Sequence, residues 1–334
     1  MKRRYKEREM KTCLAFLLLL PLYLIGMDLL LYFRVQNYDV RPRANDTASP
    51  YRSAILCDLN PICTVTVKAM MLDHPNHYIL TPLASLVDYL LDISRSWTWL
   101  TPNAISVSHV VIAVIGARCI ARASIFSRRV GVALFQVRAW MDDLDGYVAR
   151  TRLDIRGERS DVGSIGFFVD GICDGLGCVA LIVALFVSLK RTVGYELPHR
   201  AVSSNSAWKS PLCNVTIVTL HFSLTSIAWN RFISVYQDLL DADDIPPMNR
   251  QDLYDRQTVV LRSSAFWAIT LVWKMFNFHA IMDYVLLAIF LPGDLRHRID
   301  KYVRLTWLQL PAVLLLLVLV SELHYVHAYA YVKS

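Results

Sequence analysis

The chain has 334 residues, of which 55% are hydrophobic, and a mean hydropathy of +0.37. Charged residues make up only 19%, below the roughly 25% of soluble domains, which excludes an ordinary soluble protein and points to an integral membrane protein. The net charge of +7 takes its meaning from where the basic residues lie, and no nucleic-acid partner is expected.

Residues 1–11 form a basic tail, expected in the cytoplasm. Residues 12–33 are apolar past Pro21, long enough to span, and lack a small-residue cleavage site. They read as a retained transmembrane anchor, with Asp28 an interfacial acid near its far end. Residues 34–99 are expected as a lumenal segment, polar and without a sustained period over most of its length. It holds the sequon Asn45-Asp46-Thr47, usable if this side is lumenal. It also holds Cys57 and Cys63, for which a disulfide and two free thiols are equally open. No CxxC or Cys/His zinc spacing occurs among the seven cysteines. Residues 80–91 place apolar side chains on one face and Asp88 and Asp92 on the other, which suits an interfacial helix with a solvated acidic side.

Six further helices are expected over residues 100–334. The first, 100–121, opens with Thr101 as N-cap and Pro102 at the first helical position. Spans 130–147, 163–189, 211–233, 262–291 and 305–329 follow. The span 262–291 would rise about 45 Å, so it is tilted, kinked or protruding. Its Lys274, His279 and Asp283 either line a polar cavity, an acceptor or head-group site, or pair with each other and with neighbours. His199 and His221 read as loop or interfacial residues, and Trp97, Trp99 and Trp307 as belt anchors.

Orientation follows from the basic segments 2–11, 122–129, 190–209 and 296–304, which seven spans put on one side, the cytoplasm. The second sequon, Asn214-Val215-Thr216, then falls at the cytoplasmic end of its span and stays unmodified. The loop 148–165 is mildly basic on the opposite side, an excess assigned to anion binding.

The chemistry concentrates in residues 142–174. Asp142, Asp145, Gly146 and Ala149 share a helical face, because steps of three, one and three add up to about two turns. Gly163, Gly166, Asp170, Asp174 and Gly177 do the same on the next helix. Four acids on two facing helices repel unless cations neutralise them, and oxygen ligands favour Mg²⁺, Mn²⁺ or Ca²⁺. Asp143 lies about 100° off the common face, which favours a supporting or solvent-facing role over a ligand role.

These residues resemble the signature of the CDP-alcohol phosphotransferases, D-x-x-D-G-x-x-A-R followed by G-x-x-x-D-x-x-x-D. Asp142, Asp145, Gly146, Ala149 and Arg150 match the first half, and Gly166, Asp170 and Asp174 the second. The spacer 151–165 is longer than is usual in the family, an insertion that a surface loop tolerates. With the topology, it looks most like the insect ceramide phosphoethanolamine synthases. The resemblance covers roughly residues 80–332. It implies an all-α polytopic membrane enzyme, the anchor helix preceding a six-helix phosphotransferase core. It implies transfer of phosphoethanolamine from CDP-ethanolamine to ceramide in the Golgi membrane, with two Mn²⁺ or Mg²⁺ ions, while the orientation by basic segments puts the signature acids on the lumenal side. By resemblance Asp142, Asp145, Asp170 and Asp174 are metal ligands and Asp174 is also the base. Asp142, Gly146, Ala149 and Arg150 then meet the nucleotide, the small residues giving it room and Arg150 pairing with the diphosphate. Many relatives are homodimers, and the small-residue faces allow that here. The rival readings are an ethanolamine- or cholinephosphotransferase acting on diacylglycerol, and, from another class, a divalent-cation transporter.

Overall fold

The computed structural model describes residues 2–37, 65–153, 163–196, 211–241 and 250–334. Among them the secondary structure is helical, with no β-strand. Asn45, Cys57, Cys63 and His199 lie outside the described residues.

Helix α1 (Lys2–Asn37) carries the anchor and continues the basic tail in one piece. Then come α2 (Val67–Met71), a π-helical turn (Asn76–Leu80), α3 (Thr81–Leu91) and α4 (Ile93–Ser96). The long helices are α5 (Pro102–Ile120), α6 (Ile125–Arg152), α7 (Ile165–Glu196) and α8 (Pro211–Leu240). The chain closes with α9 (Arg250–Arg262), α10 (Ser264–Phe276), α11 (Phe278–Phe290), α12 (Leu295–Thr306) and α13 (Gln309–Lys333).

Among the described residues, six stretches are long and apolar enough to cross a membrane: Leu19–Asn37, Pro102–Ile120, Ile165–Arg191, Pro211–Leu240, Ser264–Phe290 and Gln309–Lys333. Apolar side chains such as Val107 and Val111 on α5, Val179 and Val183 on α7, and Leu315 and Leu316 on α13 face outward, as a lipid-facing surface requires. The protein is thus an all-α polytopic membrane protein. Helix α6 is long enough as well, 28 residues or about 42 Å. Its charges set it apart in composition, and it is sheltered by packing along α5.

Consecutive long helices reverse direction, and hydrogen bonds mark the two ends of the bundle. At one end Arg191 donates to the Ala121 carbonyl (2.6 Å), Ser188 to that of Ile120 (2.8 Å), Arg129 to that of Phe290 (3.3 Å), and Asn214 to the Asp300 carboxylate. The basic residues of 122–129, Arg191 and those of 296–304 therefore share this end. At the other end Gln36 donates to the Arg262 carbonyl (2.9 Å), Arg256 to that of Tyr331 (2.8 Å), and Arg152 to those of Ser94 (2.8 Å) and Trp97 (2.9 Å).

Helices α5 and α6 approach closely because glycines meet at their crossing. A Cβ on Gly131 would stand 2.6 Å from the Gly116 carbonyl oxygen and 2.9 Å from the Ile120 nitrogen, backbone atoms that cannot rotate away. Gly131→Ala is expected to lower stability by about 1–3 kcal/mol through overpacking. Gly26→Ala, with open space at its Cβ, is the control. Thermal unfolding in detergent reads the difference.

Several local expectations narrow or change. The span 262–291 takes the kinked form among the alternatives expected: Asn277 leaves helical geometry (ψ 169°) and caps α11 by accepting from the Ala280 N–H at 2.8 Å, so one crossing is made of two helices. Residues 296–304 form an amphipathic helix rather than a loop, with Leu295, Ile299 and Val303 buried. Asp88 is buried rather than solvated, since it accepts from the Ser94 N–H (2.7 Å) and hydroxyl (2.8 Å) to join α3 to α4. Residues 65–72 return to the bundle: Val67, Met70 and Met71 pack with Phe232, Tyr236, Phe266 and Trp273 in one core. His221 is buried inside α8, not interfacial. Asp28 is no lone interfacial acid: it accepts from Lys274 Nζ (2.9 Å) and from the Tyr78 hydroxyl, and meets His74 Nε2 at 2.7 Å. Asn214, buried and bonded to Asp300, stands where the second sequon was expected to stay unmodified.

Candidate metal centre

Three helices wall the site. Helix α6 presents Arg138, Asp142 and Asp145 at helical spacing, α7 presents Asp170 and Asp174, and α5 presents Ser106 and His109. Ligand-type atoms of His109, Asp142, Asp170 and Asp174 all lie within 4.8 Å of one another. Carboxylate oxygens of Asp142 and Asp174 lie within 4.8 Å of each other, so the two acids repel unless a cation lies between them. Asp170 Oδ1 is buried with no hydrogen-bond partner. Arg138, 3% exposed, donates to Asp174, but one guanidinium does not neutralise four carboxylates. An orphaned buried carboxylate oxygen and acids gathered this closely fit a divalent cation, with Asp142, Asp170 and Asp174 as its nearest oxygen donors.

Asp145 stands apart from this closest group. It is 3% exposed and accepts from the Ser106 hydroxyl at 2.5 Å, while remaining within the electrostatic reach of Asp142 and Asp170. Asp143 is also outside the group and accepts from Thr81 Oγ1 at 3.1 Å, which ties α6 to α3. The Arg150 guanidinium lies back along its own helix, with Nη1 3.0 Å from where a Gly146 Cβ would be. Ala149 is half-buried, one turn beyond Asp145. Gly166 sits near the start of α5, a Cβ there falling 3.6 Å from Asn103 Oδ1.

The polar residues of α10 and α11 pair with neighbours rather than stand free. Lys274 bonds Asp28, His279 Nδ1 meets Asn76 Nδ2 at 3.1 Å, and Asp283 accepts from Gln136 at 2.7 Å. Asn76 in turn donates to Asp73 at 2.7 Å. Lys68, just before this stretch, places its charge within reach of Asp143 and Asp170. The segment that reads from sequence as a separate polar stretch thus supplies a cation to the site.

His109, Arg138, Ser106 and Lys68 escaped the sequence reading. Arg138 carried a signal, one turn before Asp142 on the face already counted. His109 carried none, since no spacing relates a lone histidine on α5 to acids on α6 and α7.

Gly177 gives Arg138 its seat. A Cβ there would lie 2.8 Å from Arg138 Nε and 3.1 Å from Cζ, and the buried guanidinium would have to leave Asp174. Gly177→Ala is expected to cut turnover by about 10–100-fold, the usual cost of losing a group that orients a ligand. Gly175→Ala, with nothing within 4 Å of its Cβ, should leave turnover unchanged.

The family model for ceramide phosphoethanolamine synthase matches residues 7–334. The chain belongs to that family. It is similar to the ceramide phosphoethanolamine synthase of Drosophila melanogaster, with 34% identity over 382 aligned positions, covering 96% of this chain and 95% of the relative. No solved structure matches the chain. Family membership makes the protein a transferase of substituted phosphate groups.

Proposed function

We propose that the protein transfers phosphoethanolamine from CDP-ethanolamine to the primary hydroxyl of ceramide and releases CMP. The observation that carries this reading is the gathering of the signature acids Asp142, Asp170 and Asp174 within 4.8 Å, in a chain matched by the synthase family along residues 7–334. Asp142, Asp145, Asp170 and Asp174 would hold divalent cations, two in number, Mn²⁺ or Mg²⁺. A bound cation neutralises the donor's diphosphate and polarises the phosphate under attack.

The chain's own residues do the rest. Asp174 takes the proton from the acceptor hydroxyl as that oxygen bonds the phosphorus carrying ethanolamine. The phosphorus–oxygen bond to the cytidylate breaks, and CMP leaves with the electron pair. Arg138 keeps the Asp174 carboxylate oriented. Arg150, folded over Gly146, is placed to swing onto the diphosphate, and the small Gly146 and Ala149 let the nucleotide approach.

The basic residues gathered at the end opposite the site make that end cytoplasmic by the positive-inside rule. The site then faces the Golgi lumen, in keeping with sphingolipid head-group addition, and Asn45 is the glycosylation site. An anchor of residues 12–33 precedes a lumenal segment, 34–99, and a six-helix core, 100–334, whose small-residue faces allow a homodimer.

The test is transfer of labelled CDP-ethanolamine by the purified protein in detergent, with ceramide and diacylglycerol offered separately, with Mn²⁺ and with chelator. Metal-dependent product from ceramide alone is expected. Product from diacylglycerol alone moves the enzyme to glycerophospholipid synthesis, and no product with no CMP released removes the phosphotransfer reading.

A further inference from the structure

We propose that His109 is a nitrogen ligand of the metal centre, joining Asp142, Asp170 and Asp174 in a mixed oxygen–nitrogen set that favours transition-metal divalents over Mg²⁺ and Ca²⁺. The inference rests on the reading of the acid cluster as a cation site.

His109 is fully buried in α5, and neither ring nitrogen has a hydrogen-bond partner. A buried polar group left unpaired is costly, and most buried polar groups avoid that cost. The ring is not idle in an apolar wall, however. Its Nε2 lies 3.7 Å from Asp142 Oδ1, beyond a hydrogen bond. One ion can reach both atoms, because two bonds of about 2.1 Å span up to roughly 4.2 Å. A single cation between His109, Asp142, Asp170 and Asp174 would engage one of the two orphaned ring nitrogens and the Asp170 carboxylate together.

The chemical consequence is selectivity. Mg²⁺ and Ca²⁺ take oxygen donors almost exclusively, whereas imidazole is an ordinary ligand of first-row transition ions. Asp145, held to Ser106 away from His109's group, belongs to the all-oxygen side of the centre.

Pulsed electron paramagnetic resonance on the purified full chain loaded with Mn²⁺ alone provides the test. The wild type is expected to show ¹⁴N modulation from an imidazole, and His109→Phe, which keeps the ring volume, is expected to lose it. The Mn²⁺-over-Mg²⁺ preference in equilibrium dialysis should fall by about 10–100-fold in the same variant. Bound Mn²⁺ with no nitrogen coupling in the wild type overturns the proposal while leaving the acid cluster as a metal site. Nitrogen coupling that persists in His109→Phe also overturns it and points to His279. If that variant does not fold, His109→Gln takes its place, and unchanged coupling or preference there overturns the proposal equally. No Mn²⁺ binding by the wild type removes the cation site itself, and this inference with it.

Discussion

Asp142→Asn is expected to lower transfer by about 10²–10³-fold or more, the loss seen when one group that stabilises reacting charge is removed. Asp142 meets three other ligand-type groups within 4.8 Å, the Asp174 carboxylate among them. Asparagine keeps the shape but removes a negative charge and one anionic donor. The same change relieves repulsion among the acids, so the metal-free protein should unfold at the same temperature or higher. Activity and stability thus move in opposite directions, which misfolding cannot imitate. Asp143→Asn is the neighbouring control: Asp143 bonds Thr81 and is outside the ligand group, so its loss should affect turnover far less. The readouts are initial rates at saturating Mn²⁺ and thermal unfolding with chelator. Near wild-type turnover in Asp142→Asn would sink the mechanism.

The acids of α6 and α7 were legible in the sequence because one helical period relates residues on the same face, and that period survives packing. Arg138 was legible by the same arithmetic carried one turn further back. What escaped were partnerships across the chain. Asp28 and Lys274 are 246 residues apart, and each alone reads as an isolated charge near a span. His109 depends on helices that follow it by a turn and a loop, and no pattern along α5 announces them. Asp88 misled for a local reason: its position on an amphipathic helix looks solvated, yet Ser94 in α4 folds back to satisfy it. The break at Asn277 was hidden inside an apolar run, where hydropathy dominates and one capping side chain is easily passed over. Residues 65–72 were read as polar because short apolar runs between turns lack a period. Only the fold shows that Val67, Met70 and Met71 fill the core.

The second large effect is expected at Asp28 and Lys274. Lys274 is 1% exposed, and its ammonium bonds Asp28 and the Tyr78 hydroxyl (both 2.9 Å) while lying 4.4 Å from the Tyr78 ring centre. Asp28 also meets His74, so one carboxylate ties the anchor α1 to α10 and to the segment before α3. Removing one partner of a buried pair strands the other charge, at a cost of about 3–5 kcal/mol. Lys274→Met should therefore destabilise the protein by that amount. Asp28→Asn should cost at least as much, because it strands the more buried charge with Tyr78 alone, whereas Asp28 without Lys274 keeps His74 and Tyr78. The double variant should recover much of the loss of Lys274→Met, since no charge is then left unpaired. Thermal unfolding of all four proteins in one detergent gives the coupling energy. Additive losses would mean that the Asp28–Lys274 pair contributes nothing to holding α1. A strong coupling ties the anchor to the body of the bundle, because the segment Asp28 grips continues through Asn76 to His279 on α11. Lys274→Met should then lower turnover in the surviving folded fraction as well, and Asp28→Asn/Lys274→Met should restore it in step with stability.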